Sequence, residues 1–249
     1  MAVGGAASRV QEAYRLLSPC RVCPRACGAD RPGGQRGLCG LTESVLVSSA
    51  GPHFGEESCL VGFGGSGTIF LAGCNLLCVF CQNYSISHLR QGRPATTEQI
   101  AELMLSLAHA GCENINLVTP THVGPQLMAA IELARSRGLE LPIVWNCGGY
   151  ESLQMLRLLE GYVDIYMPDF KYADNDPARR FSRAEDYPAV ARAAIKEMHR
   201  QVGDLVLQNG RARRGLLVRH LVLPGGLAGS RKVIDFLAEQ VSPNTFINV

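Results

Sequence analysis

No apolar run in this 249-residue sequence approaches the roughly 20 residues that a bilayer-spanning helix needs. The N-terminus, MAVGGAASRVQEAYRLL, lacks the apolar centre of a secretory signal and carries charges instead, so the expectation is a cytoplasmic protein. Charge of one sign is also missing. The formal net charge is only +2, which advertises no track for nucleic acid, and Arg211, Arg213 and Arg214 read as a solvated loop. Internal repeats and low-complexity runs are absent. With 18% charged and 47% hydrophobic residues, the chain has the makings of a sizeable globular core.

Cysteine, by contrast, is plentiful: there are ten. In a reducing compartment, clustered thiols bind metal more often than they pair as disulfides. Three lie in GCNLLCVFCQNYSIS at C-x3-C-x2-C spacing: Cys74, Cys78 and Cys81. Structural zinc takes four ligands. A cubane 4Fe–4S cluster is usually held by four thiolates, so three leave one iron open to another ligand. Phe80 would set an apolar ring beside that position. The competing reading is zinc closed by a distant ligand such as Cys59 or a histidine. Four more cysteines, Cys20, Cys23, Cys27 and Cys39, lie in CRVCPRACGADRPGGQRGLCG, a loop without hydrophobic periodicity. They read as a closed four-thiolate site for zinc or a second iron–sulfur cluster, with Arg21, Arg25, Arg31 and Arg36 offsetting its charge. Cys59 has no evident partner. Cys112 and Cys147 read as small buried thiols.

The pattern divides near residue 62. Residues 1–62 hold a short helix (6–17) and the cysteine-rich loop, read as a metal-binding extension. Residues 63–249 alternate strands with helices. The strands are expected at 68–72, 114–118, 142–146, 163–167, 216–223 and 245–249, the helices at 97–110, 125–137, 152–159, 189–202 and 231–240. Thr96 with Gln99 forms a candidate capping box, and Asn209-Gly210 a candidate hairpin turn. Six βα steps imply a mainly parallel sheet, either open and doubly wound or a partial barrel. Both place the active site at the carboxyl ends of the strands. The cysteine triplet, Thr119-Pro120, Asn146-Cys147, Asp169-Lys171 and Pro224-Gly225-Gly226 all fall there.

The triplet with an aromatic before its last cysteine, just after the first strand of a βα series, resembles the radical S-adenosylmethionine superfamily. GSGTIFLAGCNLLCVFCQNYSIS, INLVTPTHV, DIYMPDFKY, VRHLVLPG and the N-terminal cysteine loop together resemble the branch related to pyruvate formate-lyase activating enzyme. The resemblance runs from Cys20 to Val249. It implies a partial (β/α)6 barrel with a 4Fe–4S cluster on Cys74, Cys78 and Cys81 and S-adenosylmethionine on the fourth iron. Cofactor contacts are implied for Phe80, Thr119 (through its backbone, where the family carries Gly-Gly-Glu), Asn146, Asp169, Lys171 and His220. His220 is equally readable as a satisfied core residue, and Leu223–Gly225 as backbone support for adenine. The implied partners are a reduced flavodoxin- or ferredoxin-type electron donor and a glycyl radical enzyme. The relatives extend past the sixth strand, so the sequence is read as truncated at its C-terminus. The rival readings are a radical enzyme acting on a small molecule or another protein, and a non-catalytic iron–sulfur carrier or zinc-stabilised module.

Overall fold

A computed structural model describes residues 3–249, with side chains from residue 9 onward. The elements in chain order are α1 (Val3–Arg15), β1 (Val45–His53), α2 (Ser58–Val61), β2 (Ser66–Leu71), α3 (Tyr84–Ser87), β3 (Arg93–Ala95), α4 (Thr97–His109), β4 (Ile115–Val118), α5 (Gly124–Ser136), β5 (Ile143–Cys147), α6 (Leu153–Leu159), β6 (Ile165–Pro168), α7 (Asn175–Ser182), α8 (Tyr187–Val202), β7 (Val206–Gln208), β8 (Arg211–Arg219), α9 (Ser230–Gln240) and β9 (Phe246–Asn248). Among them no helix is long and apolar enough to cross a membrane.

Six strands, β2-β4-β5-β6-β8-β9, run parallel, each beside the next in the chain. Winding in one direction without a reversal point makes a barrel wall rather than a doubly wound sheet, so the partial barrel is the architecture found. The antiparallel strands β1 and β3 extend the wall beyond β2, and the path does not close.

Alternation along the strands splits the apolar residues into two cores. Ile69, Leu71, Ile115, Leu117, Ile143 and Trp145 point outward and pack under the helices. Val144, Ile165, Met167 and Leu217 point into the barrel, where Cys59 and Leu60 of α2 meet them and close its floor. Cys59 is therefore a core thiol inside the barrel. Cys112 is buried in the outer core. The N-terminal segment shares the sheet through β1 and the outer core through Leu16, Leu17, Val22 and Leu41.

Three differences from the sequence reading have local causes. β1 was not foreseen, because VLVSSAGPH carries Gly-Pro and is half exposed on both faces. The fifth parallel strand lies earlier than 216–223: β8 ends at Arg219, and His220 donates its backbone N–H to Asn248. Leu221 and Val222 beyond it are exposed. α7 was missed because NDPARRFS is only eight residues long, mostly polar, and carries a proline.

Local signals elsewhere hold. Asn209 and Gly210 both have positive φ, +52° and +75°, between β7 and β8, as a tight hairpin requires. The Gln99 N–H donates to Thr96 Oγ1 at 3.3 Å, and the Thr96 N–H to Gln99 Oε1 at 2.9 Å. Thr96→Ala is expected to lower unfolding free energy by about 1 kcal/mol in chemical denaturation.

Candidate functional site

The mouth of the barrel is a cleft of about 490 Å³, within the usual range of roughly 300–1,000 Å³ for small-molecule sites. Cys74, Cys78 and Cys81 line it, and so do Phe80, Thr119, Asn146, Asp169, Lys171 and His220. Parallel strands bring these positions together because every β2-to-β8 strand ends on the same rim.

The cysteine loop leaves β2 through Gly73 (φ +87°), where a Cβ would lie 3.0 Å from the Cys39 carbonyl oxygen. Leu77 takes φ +53°, which curls the loop around the first sulfur. Each of the three sulfurs accepts a hydrogen bond. The Leu76 N–H donates to Cys74 Sγ at 3.3 Å, the Ser182 hydroxyl to Cys78 Sγ at 2.9 Å and the Ser87 hydroxyl to Cys81 Sγ at 3.2 Å. Burial pushes the Cys74 thiol up to about 11, against the pull of the Leu77 and Leu76 amides. A buried thiolate needs positive charge beside it, which a cluster iron provides. Among the described residues no group of three or more His, Cys, Asp or Glu side chains is arranged to hold a single metal ion. The triplet fits a cluster by its donor set, three sulfurs that line one cleft and each accept a hydrogen bond. Phe80 stacks edge-on to Tyr172, with ring centroids 6.2 Å apart, at the lip of the site.

Across the cleft stands a charge network. Lys171 Nζ donates to Asp169 Oδ2 at 2.7 Å, and Arg219 Nε lies 3.4 Å from Asp169 Oδ1. Arg219 also donates to Asn146 Oδ1 at 2.6 Å and reaches Glu56 Oε2 below at 3.4 Å. Burial alone would raise Asp169; Lys171 and Arg219 outweigh it and hold the carboxyl below its ordinary value. Burial opposes the charge on Lys171, and Asp169 more than restores it. Burial raises Glu56 despite Arg219. Two cations and two carboxylates therefore hold one another in place. Arg219 is a cleft residue that the sequence reading misses. The signal was its two-residue offset from inward-facing Leu217.

Tyr187 of α8 ties the rim together. Its hydroxyl accepts from the Lys171 N–H at 2.9 Å and lies 3.0 Å from the Gly148 carbonyl and 2.9 Å from the Asp169 carbonyl, its alternative acceptors. Gly149 (φ +75°) allows the approach, since a Cβ there would be 2.2 Å from the Asp169 carbonyl oxygen. Thr119, a β-branched residue, has φ +60°, an uncommon and strained conformation that turns its backbone at the rim. His220 lines the cleft, yet its Nδ1 lies 2.6 Å from the Phe170 carbonyl and its Nε2 2.8 Å from Ser230 Oγ. Both ring nitrogens are engaged, which favours the satisfied-core reading. Leu223 lines the cleft; Gly225 and Gly226 form a turn of positive φ outside the lining.

The N-terminal cysteine loop meets the Cys74 loop where the Cys39 carbonyl packs on Gly73. Cys20 and Cys39 are buried, Cys23 and Cys27 half-buried. Burial pushes Cys23 up to about 12. Burial likewise raises Cys20, against the pull of the Val22 amide and Arg31. Glu151, missed in the sequence, is buried behind the cleft. It accepts from Thr121 Oγ1 and, at 3.5 Å, from Trp145 Nε1. Cys147, also buried, lies beside it and lines the cleft.

Residues 68–208 match the family model described as the Radical SAM superfamily. The chain is 30% identical over 251 residues to the uncharacterized protein MJ0674 of Methanocaldococcus jannaschii, covering 97% of this chain and 68% of that protein. It is 27% identical over 123 residues to the anaerobic ribonucleoside-triphosphate reductase-activating protein of Enterobacteria phage T4, covering 47% of this chain and 78% of that one.

Burial pushes the Glu151 carboxyl from 4.5 up to about 7, against its hydrogen bonds from Thr121, Trp145 and Cys147. The folded chain binds this proton more tightly than the unfolded one, so stability falls as pH rises from 4.5 through about 7. The Glu151 share of that loss is of order 3 kcal/mol. Anaerobic denaturation across this range should show a slope that Glu151→Gln removes, even where the variant is less stable throughout.

Proposed function

The chain belongs to the radical SAM superfamily, and we propose that it cleaves S-adenosylmethionine reductively at Cys74, Cys78 and Cys81 to begin hydrogen-atom abstraction from a partner enzyme. Members of the superfamily are generally iron–sulfur enzymes that use S-adenosylmethionine. The observation that carries the reading is the shared cleft: three hydrogen-bonded sulfurs on one wall and the Asp169–Lys171–Arg219 network on the other. When bound, a 4Fe–4S cluster held by Cys74, Cys78 and Cys81 would supply one electron, and S-adenosylmethionine the sulfonium carbon–sulfur bond that the electron cleaves.

The chain's own groups hold, orient and shield. Leu76 N–H, Ser182 and Ser87 donate to the sulfurs and stabilise their negative charge. Lys171 offers an ammonium to the methionine carboxylate, and Asp169 offers a carboxylate oxygen to the amino group. Thr119 contributes backbone, with its carbonyl and neighbouring amide turned by the left-handed φ. Asn146 is held by Arg219 at the third strand end. Leu76 and Phe80 keep water from the reacting centre. The T4 protein's name supports an activase-like role, in which the hydrogen is taken from a backbone glycine of a radical enzyme. A reduced flavodoxin- or ferredoxin-type protein is the fitting electron source.

Anaerobically reconstituted protein given dithionite and S-adenosylmethionine should release 5′-deoxyadenosine. Cys78→Ser should lower the rate by at least about a hundredfold. A fully loaded, reducible cluster that yields none would refute the reading. Lys171→Met is expected to weaken S-adenosylmethionine binding about tenfold, or about 1.4 kcal/mol, by equilibrium dialysis. Thr119→Gly should keep both stability and turnover, because glycine adopts that φ freely.

A further inference from the structure

Arg31 is 1% exposed, yet among the described residues its Nη2 has no hydrogen-bond partner. Its other groups are committed: Nε donates to the Thr42 carbonyl at 2.9 Å and Nη1 to the His122 carbonyl at 2.6 Å. A guanidinium buried with one amino group unpaired calls for an anion. The neighbouring groups are thiols. A methyl placed on Gly37 would lie 3.4 Å from Cys27 Sγ, 3.4 Å from Cys39 Sγ and 3.9 Å from Arg31 Cδ. Four cysteine thiolates around iron or zinc carry net negative charge, which is the missing partner. The four are not arranged to hold a single ion, which is also true of the Cys74 triplet.

We infer that Cys20, Cys23, Cys27 and Cys39 hold a second iron–sulfur cluster, with Arg31 as its buried counter-cation, and that it passes electrons to the first. Two routes join the loops, one buried and one partly buried. Arg31 donates to the His122 carbonyl, and His122 Nε2 lies 2.9 Å from the carbonyl of Ala72, two residues before Cys74. Arg25 donates from Nε to the Asn75 carbonyl at 2.8 Å and from Nη2 to the Ser182 carbonyl at 2.8 Å; the Ser182 hydroxyl meets Cys78 Sγ. The Cys39 carbonyl packs on Gly73. A low-potential iron–sulfur or flavin protein gives one electron to the N-terminal cluster. That cluster is reoxidised as the same electron moves on to the cluster at Cys74. The relay rests on the proposed function; the metal assignment does not.

The full chain, reconstituted anaerobically with iron and sulfide, should carry about eight irons. The Cys74→Ser/Cys78→Ser/Cys81→Ser variant should keep about four, as a reducible cluster whose EPR signal ignores S-adenosylmethionine. Arg31→Gln should lower that cluster's midpoint potential in a redox titration, because a positive charge beside it is lost. One zinc in place of the second set of irons would overturn the inference. So would a triplet variant without iron, or an unchanged potential in Arg31→Gln. Two loaded clusters in wild type without 5′-deoxyadenosine would sink the proposed function and leave the second cluster standing.

Discussion

Three sulfurs at the carboxyl end of β2 need donors, charge and an open side at once, and the barrel supplies all three. Two of the donors are local to the loop, and the third lies 104 positions from its sulfur. One is a loop amide, one a serine in the short helix that follows the loop, and one a serine at the end of α7. A wall of parallel strands with every carboxyl end on one rim brings the distant serine to the loop. The opening comes from the same geometry, because the α2 plug closes the far end of the barrel and leaves the cleft at the sulfur end.

The charges opposite the sulfurs are poised rather than idle. Asp169 lies between two cations, and Arg219 between two carboxylates and an amide oxygen. Removing any member leaves a partner buried and unmatched, which costs more than the pair contributes. A zwitterion such as the methionine end of S-adenosylmethionine suits such a site, since it exchanges one set of paired charges for another. Tyr187 and the glycines at 148–149 fix the backbone that presents these groups.

Much of this was legible in the sequence, for physical reasons. The triplet is a local pattern, and a cluster demands local closeness of its ligands. The capping box and the hairpin turn are encoded in adjacent residues. Thr119, Asn146, Asp169 and Lys171 line the cleft, and that placement was legible because strand ends are visible in hydrophobic runs and topology sends them to one rim. What stayed hidden depends on tertiary contact. Glu56 reaches Arg219 across 163 positions. Ser182 meets Cys78 across 104. Glu151 looks like any loop glutamate until folding buries it. β1 was unreadable because its Gly-Pro pair and exposed faces carry little strand signal.

The central claim is that one iron of the cluster at Cys74, Cys78 and Cys81 is free to bind the amino and carboxylate groups of S-adenosylmethionine. Mössbauer spectroscopy tests it most directly, on the Cys20→Ser/Cys23→Ser/Cys27→Ser/Cys39→Ser variant loaded with iron-57, before and after S-adenosylmethionine is added. The account predicts that one iron in the cubane separates from the other three when the ligand binds. Four irons that remain alike under saturating S-adenosylmethionine would contradict it.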